Sequence, residues 1–322
     1  MLEESSTCGG FVSARGKQAS PMENDGTRQI ALVVNPKSGK GSEPREVAKR
    51  FAAQGLPVEL FEAADPVEAA KQARAAGART VVAAGGDGTV SAVASVLAGS
   101  DVALGIVPAG TLNHLAKELR IPTDQDAAIR VIAAGRLACV DVAEVNGRVF
   151  VNNSSLGLYP AMVTSRKKEE KLGRGRWMAL FRASVMTLRR MPRIDVRLTA
   201  GDTQIERRTP IVFVGNNPYE VEGMKAGSRV RLNTGKLFVS IATARSGLDM
   251  IRLSLLALLG RLKERDEFEA FLAEAAVVES HREHIRISLD GEVVTMNTPL
   301  HYRIRPACLH IIVPEGETAS KP

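Results

Sequence analysis

Cysteine is scarce in this chain, with Cys8, Cys139 and Cys308 the only three in 322 residues. Their odd number and wide separation exclude a disulfide framework and suit free thiols in a reducing, cytoplasmic compartment. The five histidines form no ligand cluster either. His281 and His284 stand close together but in a charged, strand-like stretch, so a structural zinc site is excluded. Long apolar runs are also missing. The best candidate, 250–260, falls short of the roughly 20 residues a spanning helix needs and carries Arg252. Residues 1–28 have no apolar segment of the secretory type and are expected to be a disordered tail.

What is present is ordinary globular composition, 44% hydrophobic and 25% charged, in a chain long enough for two domains. The net charge of +7 is local. Residues 166–193 hold ten Lys/Arg against Glu169 and Glu170, a balance of +8 that leaves about −1 for all the rest. Within this cluster Trp177, Leu180, Phe181, Val185 and Leu188 share one face at helical spacing, with Arg176, Arg182, Arg189 and Arg190 off it. A basic amphipathic helix over 176–190 suits an anionic membrane surface, and equally a helix packed on a sheet with solvated arginines. The single Trp and the lack of any recognised motif rank nucleic acid last among partners. A helix near 248–262 is apolar almost all round and suits a core or a homodimer contact.

From residue 29 to about 145, short β-branched runs alternate with amphipathic helices. Strands are expected at 30–34, 57–61, 80–84 and 102–107, and helices at 43–54, 66–76, 89–98, 112–119 and 124–134. That alternation predicts parallel βαβ units in an open α/β sheet. Beyond about 138 the pattern changes to hairpins. Asn146-Gly147 separates two strands, and further strands are expected at 194–199, 205–214, 236–242, 285–289, 292–296, 301–305 and 309–313. Helices are expected to interrupt this β region near 175–190 and 247–274.

Ligands of open α/β sheets collect at the carboxyl ends of the strands. Three such ends are unusual here: Asn35-Pro-Lys-Ser-Gly-Lys-Gly41, Gly85-Gly-Asp-Gly-Thr89 and Pro108-Ala-Gly-Thr-Leu-Asn113. Each joins glycine to Ser, Thr or Asn just before a helix, where exposed N–H groups and the helix N-terminus favour phosphate. One such loop alone is ordinary turn and capping chemistry. Three glycines flanking an aspartate exceed what a turn requires, and Asp87 suits the magnesium ion that accompanies a nucleotide. The first loop is not a Walker A loop, because Gly41 follows Lys40 and the glycine spacing fails.

These motifs together resemble the diacylglycerol kinase catalytic-domain family, which includes soluble bacterial lipid kinases and sphingosine-kinase-like enzymes. The resemblance rests on Asn35-Pro36 with Ser38-Gly39, Gly85-Gly86-Asp87-Gly88-Thr89, Pro108-Ala-Gly-Thr111 with Asn113, Asn153 with Gly157, and Asp290-Gly-Glu292. It implies a phosphofructokinase- and NAD-kinase-like α/β domain over 29–142, completed by about 306–314, and a β-sandwich lipid-substrate domain over 143–305. It implies ATP held by the loop at 35–39, the loop at 85–89 and Thr111, with Asn113 in the same group and Asp87 at Mg2+. It further implies that Asp290 or Glu292 takes the proton from a lipid hydroxyl, most simply that of diacylglycerol, as it attacks the γ-phosphorus. Read without the family, Asp290-Gly291 is a type I′ hairpin turn. The acidic pair that marks the family's structural magnesium site is absent, with Asn233-Thr234-Gly235 in its place, and Ser91-Ala92 replace an Asn-Glu pair. An NAD-kinase-like enzyme and a non-catalytic nucleotide- or lipid-binding regulator stand as the alternatives.

Overall fold

The computed structural model describes residues 29–35, 43–62, 65–158, 160, 193–220, 229, 231–243, 249 and 268–315. Pro36, Ser38 and Gly39, the N-terminal tail, the basic helix expected at 176–190 and the apolar one at 248–262 lie outside them. The chain forms two compact units, Met1–Val142 with Arg305–Pro322, and Ala143–Ile304. Among the described residues no helix is long and apolar enough to cross a membrane.

The first unit begins β1 (Ile30–Val34), α1 (Pro44–Ala53), β2 (Val58–Glu62), α2 (Pro66–Ala75) and β3 (Thr80–Gly85). It continues with α3 (Asp87–Leu97), β4 (Ala103–Pro108), α4 (His114–Glu118), α5 (Gln125–Ala134) and β5 (Leu137–Val145), whose last three residues belong to the second unit. The strands lie in the order β2-β1-β3-β4 and pair in parallel. β1, β3 and β4 are nearly continuous apolar runs because both faces are covered. Local chemistry sets the helix ends. Asp65 and Asp124 cap α2 and α5 by accepting from Val67 N–H and Ala127 N–H, each at 2.9 Å. Gly135, at φ 71°, ends α5. One face of the sheet buries Leu32, Val82, Val107 and Ile312 against Phe51 and Ile129 of the helices.

The second unit contains β6 (Arg148–Phe150), β7 (Asn153–Gly157), β8 (Ile194–Ala200), β9 (Thr203–Thr209), β10 (Ile211–Asn216) and β11 (Leu237–Ala242). There follow β12 (Phe268–Ala273), β13 (Ala275–Ser280), β14 (His284–Leu289), β15 (Glu292–Asn297) and β16 (Leu300–Ile312). One antiparallel sheet runs β12-β11-β10-β7-β14-β15. The other joins β9, β8, β13 and the first residues of β16. Alternation along β8 sends Ile194, Val196 and Leu198 inward and Asp195 and Arg197 outward. The two inner faces share a core that includes Leu156, Val212, Val239, Ile287, Leu198 and Tyr302. Ser154 reaches the buried Tyr302 hydroxyl at 2.9 Å, and burial pushes that phenol well above its ordinary pKa.

The architecture is therefore an α/β unit followed by a β-sandwich, as the motif order implies; β13 answers to no expected strand, 149–153 is divided between β6 and β7, and three further differences have a plain cause. The run 205–214 is two strands in different sheets, because Pro210 cannot donate to a ladder and its carbonyl instead accepts from Leu158 N–H at 2.8 Å. The helix expected to reach 274 gives way at 268–273 to β12, whose pairing with β11 overrides the helical propensity of Glu, Ala and Leu. The runs 301–305 and 309–313 belong to one long strand, β16, with Ala307 at φ 48° between them. Its end returns to the first unit, where Ile311 pairs in parallel with Leu104 of β4.

Candidate active site

The carboxyl ends of β1, β3 and β4 lie side by side, since Val34 pairs with Ala84 and Gly85 with Pro108. Asn35, Gly85-Gly86-Asp87 and Gly110-Thr111 therefore meet at one edge of the first unit. The two glycine loops touch through their backbones. A Cβ on Gly110 would lie 2.6 Å from the Gly86 Cα and 2.9 Å from Asn113 Oδ1, while one on Gly85 would lie 2.5 Å from Thr89 Oγ1. Thr89 is accordingly turned inward and buried.

Polar groups lock this contact. Asp87 is the first residue of α3, and its two carboxylate oxygens accept from Asn113 N–H at 2.9 Å and His114 N–H at 2.6 Å. These are charge-assisted bonds to the start of α4, where a negative charge also suits the helix end. The Asn113 side chain closes its own loop by accepting from Gly110 N–H at 3.0 Å and donating to Gly110 C=O at 2.9 Å. Its φ of 51° is left-handed, a conformation asparagine tolerates better than most residues.

Gly88 differs from its neighbours. A Cβ there would meet nothing within 4 Å, so packing does not require glycine at this exposed position. It leaves the first turn of α3 without a side chain there, and the start of a helix is where an anion is favoured. Thr111 is exposed beside it, as is Leu112 at 57%. The expected separation is direct. Gly110→Ala costs about 1–3 kcal/mol of stability through overpacking. Gly88→Val leaves the melting temperature within about 2 °C but raises the KM for ATP about tenfold, read by thermal melts and initial rates.

In the second unit, Asp290 and Gly291 form the turn between β14 and β15 at φ 47° and 86°, both left-handed as a type I′ turn requires. The Asp290 carboxylate turns inward. It accepts from the N–H groups of Val151 at 2.9 Å, Asn152 at 2.8 Å and Asn153 at 3.1 Å, and its own N–H donates to Asn153 C=O at 2.9 Å. Glu292, two residues on, is exposed, and its carboxylate accepts no hydrogen bond among the described residues. The two acids thus differ in kind: one anchors a loop, the other is accessible to a ligand.

Asn233-Thr234-Gly235 does not suit a hard cation. Thr234 donates through both its N–H, at 2.8 Å, and its hydroxyl, at 2.7 Å, to Oδ1 of Asn217. A group that is donating presents hydrogen rather than oxygen, and magnesium needs oxygen ligands with charge behind them. Among the described residues no cluster of three His, Cys, Asp or Glu side chains is placed to hold a metal. Adding Mg2+ without nucleotide is expected to leave the melting temperature unchanged within about 1 °C. The residues that sequence reasoning passed over are Asn152, Asn216, Asn217 and Arg229. The asparagines stand in doublets after apolar runs, at 152–153 and 216–217, a pattern that names no chemistry, and nothing in the sequence marks Arg229.

Comparison with known proteins agrees with this arrangement in both units. The diacylglycerol kinase catalytic domain pattern matches residues 29–145, and that of the YegS C-terminal NAD kinase beta sandwich-like domain matches 159–313. A "Probable lipid kinase YegS-like" protein of Cronobacter sakazakii is 34% identical over 145 residues, which are 43% of this chain and 48% of that protein. A protein of the same name from Pectobacterium atrosepticum is 28% identical over 295 residues, covering 88% of this chain and 95% of its own. A crystal structure of a diacylglycerol kinase from Bacillus anthracis superposes with a TM-score of 0.65 at 18% identity, covering 89% of this chain and 97% of that one, and shows the shared fold. With both halves matched in order, and the glycine loops and Asp-Gly-Glu turn where those patterns lie, residues 29–145 form a diacylglycerol kinase catalytic domain followed by a YegS-type sandwich domain, the make-up of a kinase that transfers phosphate to an alcohol.

Proposed function

We propose that the chain is an ATP-dependent lipid kinase that phosphorylates the hydroxyl of diacylglycerol to give phosphatidic acid at an anionic membrane surface. The observation that carries the kinase half is the pair of glycine loops locked by Asp87, with the bare first turn of α3 open beside them. In this reading the N–H groups near Gly88 receive the phosphate chain, and Asn35 and Thr111 flank it. The magnesium ion brought by ATP neutralises phosphate charge during transfer. Asp87 would hold it through the acceptor positions that its two oxygens retain after one N–H bond each.

Glu292 is the base. A base must reach the attacking hydroxyl, and an exposed carboxylate with all its lone pairs free does so more readily than one that already holds three backbone N–H groups. Asp290 is then the residue that fixes the turn presenting Glu292. The lipid half is supported by the names of the full-length relatives and by the +8 cluster at 166–193, whose charge suits an anionic leaflet.

The test is γ-phosphate transfer from Mg-ATP to vesicles carrying diacylglycerol, monoacylglycerol, sphingosine or phosphatidylglycerol, with NAD as a separate soluble acceptor. Phosphatidic acid is the expected product. Another phosphorylated lipid would reassign the substrate, and NAD as sole acceptor would remove the lipid reading. ATP binding without turnover on any acceptor would point to a regulator.

A further inference from the structure

Arg229 is 8% exposed and forms an isolated bridge with Tyr219, and in sequence it lies outside every motif that carries the family resemblance. Burying a guanidinium is costly unless oxygens surround it. Here Nη1 donates to the carbonyls of Val151 at 2.5 Å and Asn216 at 3.3 Å, and Nη2 to Asn152 Oδ1 at 3.0 Å. The Val151 carbonyl also accepts from Asn216 Nδ2 at 2.9 Å. The Asn152 carbonyl takes Asn216 N–H at 2.9 Å and Tyr219 O–H at 3.1 Å. The carbonyl side of the 151–153 loop is thus gripped from the Arg229 side.

The N–H side of the same loop belongs to Asp290. One peptide group carries both bonds, since the carbonyl of Val151 meets Arg229 and the N–H of Asn152, across the same C–N bond, meets Asp290. A peptide dipole held between a cation at its oxygen and an anion at its hydrogen is stabilised at both ends, and each charge strengthens the bond the other makes. The guanidinium gathers carbonyl oxygens as a bound metal ion would, but as a covalent part of the chain.

We propose that Arg229 is a positioning residue for phosphoryl transfer: acting through the Val151–Asn152 peptide, its charge fixes the Asp290 carboxylate and so the turn that presents Glu292. This rests on the reading of Glu292 as the base. Arg229 itself touches no reacting atom.

The test uses the full chain with Arg229→Lys, Arg229→Gln and Arg229→Met, read in two ways. Amide hydrogen exchange over 148–156 reports the clamp without reference to activity, and lipid phosphorylation on diacylglycerol vesicles reports its consequence. Arg229→Met is expected to speed exchange at 151–153 by at least about tenfold and to lower kcat by a similar factor, with the KM for ATP held within about twofold. Arg229→Lys keeps the charge and recovers most of both losses, while Arg229→Gln keeps a donor without charge and does not. Unchanged exchange in Arg229→Met overturns the proposal, as does a loss expressed in the KM for ATP or a Gln variant as good as Lys. If Arg229→Met fails to fold, the Lys–Gln comparison decides. If the wild type phosphorylates no lipid, the kinase reading has failed, and the exchange difference between Lys and Gln still decides the clamp.

Discussion

Glu292→Gln is expected to lower kcat by about 10²–10⁴, the range a positioned general base supplies, while leaving the fold and the KM for ATP as they are. The side chain is exposed and holds nothing together among the described residues, so its amide replacement moves stability by about 0.5 kcal/mol at most. Asp290→Asn provides the contrast. An amide at that position offers one accepting oxygen and a donor NH2 to three inward-facing N–H groups, so at least one N–H loses its acceptor and faces a donor instead. Each lost charge-assisted bond costs about 1.5–3 kcal/mol where burial is complete, less where water reaches it. Asp290→Asn therefore lowers both the melting temperature and kcat, whereas Glu292→Gln lowers kcat alone. Thermal melts and single-turnover rates on the two variants separate them. A Glu292→Gln enzyme that retains full kcat removes that residue from the chemistry.

Asp87→Ala carries the second large effect. The carboxylate joins the start of α3 to the start of α4, and without it the N–H groups of Asn113 and His114 must find water while the loop holding Thr111 loses its tether. Because the site is half-exposed, the stability loss is about 2 kcal/mol rather than the full value of two buried charged bonds. The activity loss is larger, at least about 100-fold, because misplacing phosphate-binding groups by even a fraction of an ångström forfeits orientation. Asp87→Asn refines the result. If the carboxylate also holds magnesium, the Mg2+ concentration for half-maximal rate rises well beyond any change in melting temperature. If it serves only as a tether, the Mg2+ requirement is unchanged while rate and melting temperature fall together.

Most of the first unit was legible in the sequence because its signals are local. Buried parallel strands read as apolar runs, each leading into a loop that carries glycine or asparagine, and the helices between them carry caps such as Asp65 and Asp124. The second unit was less legible because its strands are defined by partners far away in sequence. Phe268–Ala273 has helix-forming composition and becomes a strand only because β11 stands beside it. The Thr209-Pro210 break within 205–214 lies inside an otherwise unbroken β-like run. The site divides in the same way. Gly85-Gly-Asp-Gly-Thr89 announces a special loop, but its composition does not separate the glycines that pack against Gly110 and Thr89 from Gly88, which packs against nothing. Asp-Gly-Glu likewise looks the same whether its aspartate serves as base or anchor. Only the inward turn of the Asp290 carboxylate distinguishes them. Arg229 and the two asparagine doublets gave no chemical signature, because their work is done on backbone groups that every sequence possesses.

The return of β16 to β4 has a consequence for the birth of the protein. Leu104 finds its parallel partner in Ile311, so the first unit is open along β4 until nearly the last residue of the strand has been made. At about 5–20 residues per second, the roughly 200 intervening residues take some ten to forty seconds to leave the ribosome. During that interval the nascent α/β half presents an apolar edge with unpaired N–H and C=O groups, the template that invites wrong pairing and aggregation. The N-terminal half therefore does not finish first, although it is made first. A fragment stopped at Val142 should behave as a chaperone client rather than a domain, and the sandwich must emerge before the nucleotide-binding half can close its sheet.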